Sequence, residues 1–108
     1  MTAYLIANVK VTDDSWVPDY AAKVHDIAAK HGGRYLSRSG AIDTLEGDAP
    51  DLSLIALIQF PDKASARGFA EDPDYAPFIE ARQAGSESQF VLIDDTDLAG
   101  AIPYLSKG

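Results

Sequence analysis

Apolar and polar residues partly alternate along Tyr4-Leu5-Ile6-Ala7-Asn8-Val9-Lys10-Val11, with β-branched side chains frequent, which predicts a strand over 4–11. The period then changes. Trp16, Tyr20, Val24, Ile27, Ala28 and His31 recur at helical spacings, so one side of a helix is apolar. Thr12-Asp13-Asp14-Ser15 supplies N-cap candidates, Pro18 fits only a first turn, and Gly32-Gly33 ends the run, giving a helix over about 15–31. Arg34 to Ile42 predicts a second strand, bent or bulged at Gly40. After a Gly-, Pro- and Asp-rich loop over 46–51, the apolar run Leu52 to Phe60 predicts a central strand buried on both faces. Pro61 stops it, and Asp62 is placed to cap a helix over about 63–71. Asp72-Pro73-Asp74 breaks that helix. A second piece over about 75–84 has Pro77 in its first turn and Gly85 at its end. Gln89 to Asp94 predicts the last strand. The tail from Asp95 has no strong period but carries the apolar cluster Ile102-Pro103-Tyr104-Leu105.

The resulting order, β-α-β-β-α-β, predicts an α+β domain of ferredoxin-like topology over 1–95, with a tail over 96–108. A four-stranded antiparallel sheet would carry its helices on one face. Ile6, Leu54, Leu57, Ile58 and Leu92 cannot all point at those helices, because strand side chains alternate between faces. The remaining face is therefore apolar, more than a monomer usually leaves open. A homodimer packed sheet to sheet is the expected assembly, with Ile102, Tyr104 and Leu105 of the tail placed to pack on the partner subunit.

Composition narrows the classes of function. The 108 residues are 46% hydrophobic and contain no cysteine, so a single globular domain without disulfide or thiolate chemistry is expected. The net charge of −8 disfavours a nucleic-acid partner. The N-terminus lacks the basic start of a signal peptide and no apolar run approaches membrane-spanning length, so a soluble cytoplasmic protein with no membrane partner is expected. Glycine-rich nucleotide loops and metal-binding histidine motifs are absent from the sequence, and neither a cofactor nor a metal is expected.

Candidate chemistry centres on Gly32-Gly33-Arg34-Tyr35-Leu36-Ser37-Arg38-Ser39-Gly40. In a regular strand Arg34 and Arg38 share a face with Leu36 between them, about 13 Å apart, too far to clamp one small anion together. Arg38 is the candidate anion or oxyanion anchor, and Arg34 a salt-bridge former, with Asp43, Glu46 and Asp48 as available carboxylates. The plainer reading is that both arginines are paired or solvated. Trp16, Tyr20 and Tyr35 are placed to line the space between first helix and sheet, or simply to fill the core. His25 flanks the apolar stripe and is the one group tunable near neutrality as a general base, with Tyr20 as a second proton-handling candidate. His31 belongs at the helix C-terminus, where the dipole favours it. Asn8 sits among apolar strand neighbours and could donate to a ligand. Arg82, beside Phe78 and Ile79, is expected to pair with a carboxylate.

Ala3-Tyr4-Leu5-Ile6, Gly32-Gly33-Arg34-Tyr35-Leu36-x-Arg38, Glu46-Gly47, Phe60-Pro61, Asp74-Tyr75 and Arg82 together resemble the DUF1330 family, small bacterial proteins of unknown function in the dimeric α/β-barrel superfamily. The resemblance spans about residues 3–95. It implies that two ferredoxin-like subunits close their sheets into a barrel. Relatives in that superfamily include cofactor-free monooxygenases, small isomerases and haem enzymes, and no one activity follows from the fold. The chain departs from the family pattern at Arg38-Ser39-Gly40, where Arg-Gly-Gly is usual, and at Gly68-Phe69, where a large aromatic is common. Three readings remain in view: a metal-free enzyme on a small carbonyl or phenolic substrate, a non-catalytic dimeric binding or regulatory module for a small anionic or phenolic ligand, and a dimeric scaffold whose pocket is vestigial.

Overall fold

The computed structural model describes residues 1–106. Strand β1 (Ala3–Val11) lies inside the sheet, paired antiparallel with β3 (Leu54–Phe60) on one side and β4 (Ser86–Asp94) on the other. Strand β2 (Arg34–Ser39) adds to the far edge of β3, so the strand order is β2-β3-β1-β4. Helix α1 (Val17–Lys30), entered through a 3₁₀ turn at Asp14–Trp16, links β1 to β2. Helices α2 (Lys63–Ala70) and α3 (Ala76–Gly85) link β3 to β4. This is the expected β-α-β-β-α-β order, with the second helix divided in two. No helix among the described residues is long and apolar enough to cross a membrane.

Alternation decides which residues meet the helices. Ala3, Leu5, Ala7 and Val9 of β1 and Ala56, Ile58 and Phe60 of β3 are buried, and the core continues into Val24, Ile27 and Ala28 of α1 and Ala66 and Phe69 of α2. The intervening Ile6, Ile55, Leu57, Val91 and Ile93 form the opposite face by register. Strand β3 is therefore not covered on both faces within one chain: Ile55 and Leu57 are only half-buried.

Local chemistry sets the helix ends. Asp13 Oδ1 accepts from the Ser15 N–H, and Asp62 Oδ1 accepts from the Ser65 N–H, so both acidic caps act where the sequence places them. Pro18 and Pro77 each occupy a first turn. Past α1, Gly32 takes φ +75°, which suits glycine, and a Cβ on Gly33 would lie 2.8 Å from the Ala28 carbonyl and against the Phe60 ring. His31 is the α1 C-cap, and its Nε2 donates to Asp72 at 2.8 Å. Asp72 also accepts from the Asp74 N–H and Lys30, so the break between α2 and α3 is tied to the end of α1. These bonds, that from His31 foremost, hold the Asp72 carboxyl down to about 2.

The second strand differs from its expected form. Tyr35 pairs with Ile58 and Ser37 with Leu57, so Leu36 is an extra residue in β2. The bulge lies here rather than at Gly40, and β2 ends at Ser39. From the bulge onward every side chain changes face. Arg34 pairs with Gln59 on the open face, whereas Arg38 pairs with Ala56 on the helix-covered face. The two arginines do not share a face, and Leu36 is exposed rather than packed between them.

Candidate functional site

Between α1 and the sheet lies a cavity of about 160 Å³. Small side chains create it: Ala7 on β1, Ala56 on β3 and Ala21 on α1 leave space that larger residues would fill. Trp16, Tyr20, Tyr35 and Phe90 form aromatic walls, and Arg38 and Arg82 bring the two positive charges. No Asp, Glu or His lines it among the described residues.

Arg82 is the unusual member. It projects from α3, is 7% exposed, and makes no ion pair among the described residues. The carboxylate expected for it is absent. Its Nη1 instead donates to the phenol oxygens of Tyr20 at 2.9 Å and Tyr75 at 2.7 Å, which also hydrogen-bond to each other. Its guanidinium carbon sits 4.0 Å from the Phe90 ring centroid, and its Nε is buried with no partner among the described residues. A buried cation facing only phenols and a ring is costly unless an anion completes it. The signal for this in the sequence is its spacing: Arg82 follows Phe78 by four and Ile79 by three, on the helix side that faces the core.

The other charged wall is open. Arg38 is exposed, and its guanidinium carbon lies 4.3 Å above the Tyr35 ring. Neither Asp43, Glu46 nor Asp48 pairs with it. Burial pushes the phenols of Tyr35 and Tyr75 well above their ordinary range, more than the neighbouring arginines draw them down. Both therefore remain protonated donors at neutral pH.

Trp16 is fixed by α3. Its Nε1–H donates to the Gly85 carbonyl at 3.1 Å, and its ring meets Tyr20 edge-on at 5.1 Å. Of the residues singled out in the sequence, Trp16, Tyr20, Tyr35, Arg38 and Arg82 meet at the cavity. Arg34, Asn8, His25 and His31 do not. Arg34 lies on the open face, donates to Gln59 Oε1 at 3.3 Å and forms no salt bridge among the described residues. Asn8 donates to Gln89 Oε1 on the same face. His25 is exposed on α1, beside Asp26 at 3.4 Å. Among the described residues no cluster of three His, Cys, Asp or Glu side chains is placed to hold a metal ion.

Sheet order and helix placement define a ferredoxin-like α+β domain with an internal cavity. Residues 2–96 match the profile of the domain of unknown function DUF1330, and the chain belongs to that family. Among solved structures it is similar to a protein of unknown function from Rhodopseudomonas palustris, at 16% identity and TM-score 0.71, over 89% of this chain and 83% of that one. It is also similar to SnoaB, a cofactor-independent oxygenase from Streptomyces nogalater, at 16% identity and TM-score 0.62, over 89% and 94% of the two chains. An antibiotic biosynthesis monooxygenase is similar at 14% identity and TM-score 0.56, over 90% of this chain and 100% of that one. At these identities the likeness is one of fold. A search of curated proteins found no match.

Proposed function

We propose that the protein is a small-molecule enzyme that stabilises the oxyanion of a compact phenolic or enolisable carbonyl substrate, held in the cavity between α1 and the sheet. The observation that carries this reading is Arg82, a buried guanidinium beside a cavity with no carboxylate partner among the described residues. Proton accounting supports it. Only one hydroxyl proton fits between the Tyr20 and Tyr75 oxygens. Tyr75 is sealed in the core, so it donates to Tyr20, which leaves the Tyr20 proton free for a ligand oxygen. Tyr20 and Arg82 then present converging donors to one developing negative charge. The likeness in fold to SnoaB, a cofactor-independent oxygenase, supports the reading as a precedent of fold alone.

The test is the ionisation of a bound chromophore. 4-Nitrophenol titrated by visible absorbance should ionise at lower pH when bound than when free, by roughly one unit or more, the effect of one nearby opposite charge. Ionisation at the same or a higher pH in the complex would overturn the reading. A second reading is a binding module without turnover, favoured by a cavity wall that holds no Asp, Glu or His among the described residues. Consumption of a bound phenol or enol under air separates the two.

We also propose that two copies pair through the open sheet face. Ile6, Ile55, Leu57, Val91 and Ile93 would cover one another there, and Leu45, Leu98 and Tyr104 outside the sheet are exposed enough to reach a partner. Sedimentation of the wild type at micromolar concentration should give a dimer, and Leu57→Lys a monomer. A wild type that sediments only as a monomer excludes this assembly.

A further inference from the structure

The two cationic side chains of the cavity sit in different surroundings. Arg82 is nearly enclosed, whereas Arg38 is exposed, which puts one charge inside and the other at the mouth. The bulge at Leu36 is what turns Arg38 onto the cavity side: were Leu36 paired with Leu57 in a regular strand, Arg38 would fall opposite Ile55 on the open face. Three carboxylates in the adjoining segment, Asp43, Glu46 and Asp48, leave it unpaired among the described residues, and the Tyr35 ring supports its guanidinium from below. Between the charges the wall is Ala7, Val9, Ala56, Ile58 and Phe90, all apolar. The space, about 160 Å³, compares with the roughly 150 Å³ that accepts a benzene ring in an engineered protein cavity.

Resting on the oxyanion reading above, we infer that the substrate has two acidic ends: a single-ring or equally compact hydroxy- or oxo-carboxylic acid, with its carboxylate on Arg38 and its phenol or carbonyl oxygen at Arg82 and Tyr20. The planar guanidinium at the mouth suits a carboxylate, which it can engage through two parallel N–H bonds. On a chain of net charge −8, it is also the local attraction that admits an anion to an otherwise repelling surface.

The test is calorimetric titration of phenol, 4-hydroxybenzamide and 4-hydroxybenzoate into wild type and Arg38→Met. The wild type should bind 4-hydroxybenzoate roughly tenfold more tightly than the amide, as a charge-assisted pair allows. Added salt should erode that preference, because the pair is exposed. Arg38→Met should reduce the preference to within roughly twofold, with a clearly smaller change in phenol affinity than in 4-hydroxybenzoate affinity. Equal wild-type affinity for acid and amide would overturn the inference alone, with phenol binding intact. A variant that weakens all three probes equally would also overturn it. If none of the three binds the wild type, the oxyanion reading falls and the inference with it.

Discussion

Arg82→Met should bind 4-nitrophenol at least roughly tenfold more weakly than the wild type, while unfolding at the same temperature or higher. The two halves of this expectation have one cause. The Arg82 guanidinium is buried without a carboxylate, and its Nε has no partner among the described residues, so the ligand-free fold carries an unpaid desolvation cost. Methionine removes that charge and keeps most of the apolar stem. Tyr20 and Tyr75 lose a donor but retain their mutual hydrogen bond, so no phenol oxygen is stranded. The bound ligand loses a hydrogen bond to a charged donor, worth about 1.5–3 kcal/mol, which is where the expected loss of affinity comes from. Arg82→Lys keeps the charge without the fork and should fall between the two. A variant that unfolds several degrees lower and binds as before would make Arg82 a structural residue and remove the basis of the proposed function.

The architecture was legible because its signals are periodic, and the site less so because it depends on single-residue events. Alternation in Tyr4 to Val11 and the apolar stripe through α1 suffice for the sheet and its covering helix, as do the caps at Asp13 and Asp62. Strand β4 begins three residues before the expected start at Gln89. Ser86, Glu87 and Ser88 pair with Val11, Lys10 and Val9 through backbone groups, which do not depend on side-chain polarity. The bulge at Leu36 leaves no mark in Arg34-Tyr35-Leu36-Ser37-Arg38-Ser39, yet it is what brings Arg38 to the cavity side. Arg82 reads in the sequence as a charge near apolar helix positions, and nothing in the sequence marks that no carboxylate among the described residues meets it. Its neighbours Tyr20 and Tyr75 lie 62 and 7 residues away in sequence, so only the folded chain joins them.

Gly85→Ala should damage stability and ligand binding together, and the reason is a junction with no spare room. Helix α3 passes directly into β4 at this residue. The Gly85 carbonyl accepts from the Thr12 N–H at 2.9 Å, the Asp13 N–H at 3.0 Å and Trp16 Nε1 at 3.1 Å. A Cβ here would collide with the indole ring and lie 2.7 Å from the Asp13 carbonyl oxygen. Backbone on one side cannot yield cheaply, so the indole must move. Overpacking of this kind costs about 1–3 kcal/mol. Loss of the indole hydrogen bond adds about 1 kcal/mol. In a domain of this size the melting temperature should drop by roughly 4–8 °C for each kcal/mol. Trp16 is the sole tryptophan, so its fluorescence reports the displacement directly, at temperatures where the variant is still folded. Because Trp16 walls the cavity and packs edge-on against Tyr20, the same shift should weaken 4-nitrophenol binding. Gly33→Ala is the matched control: its Cβ would meet Phe60 and the Ala28 carbonyl, away from the cavity lining. It should lose stability while keeping wild-type fluorescence and affinity in the folded state. If Gly85→Ala behaves like Gly33→Ala, with Trp16 emission and 4-nitrophenol affinity unchanged, then Trp16 is core packing and takes no part in the cavity's chemistry.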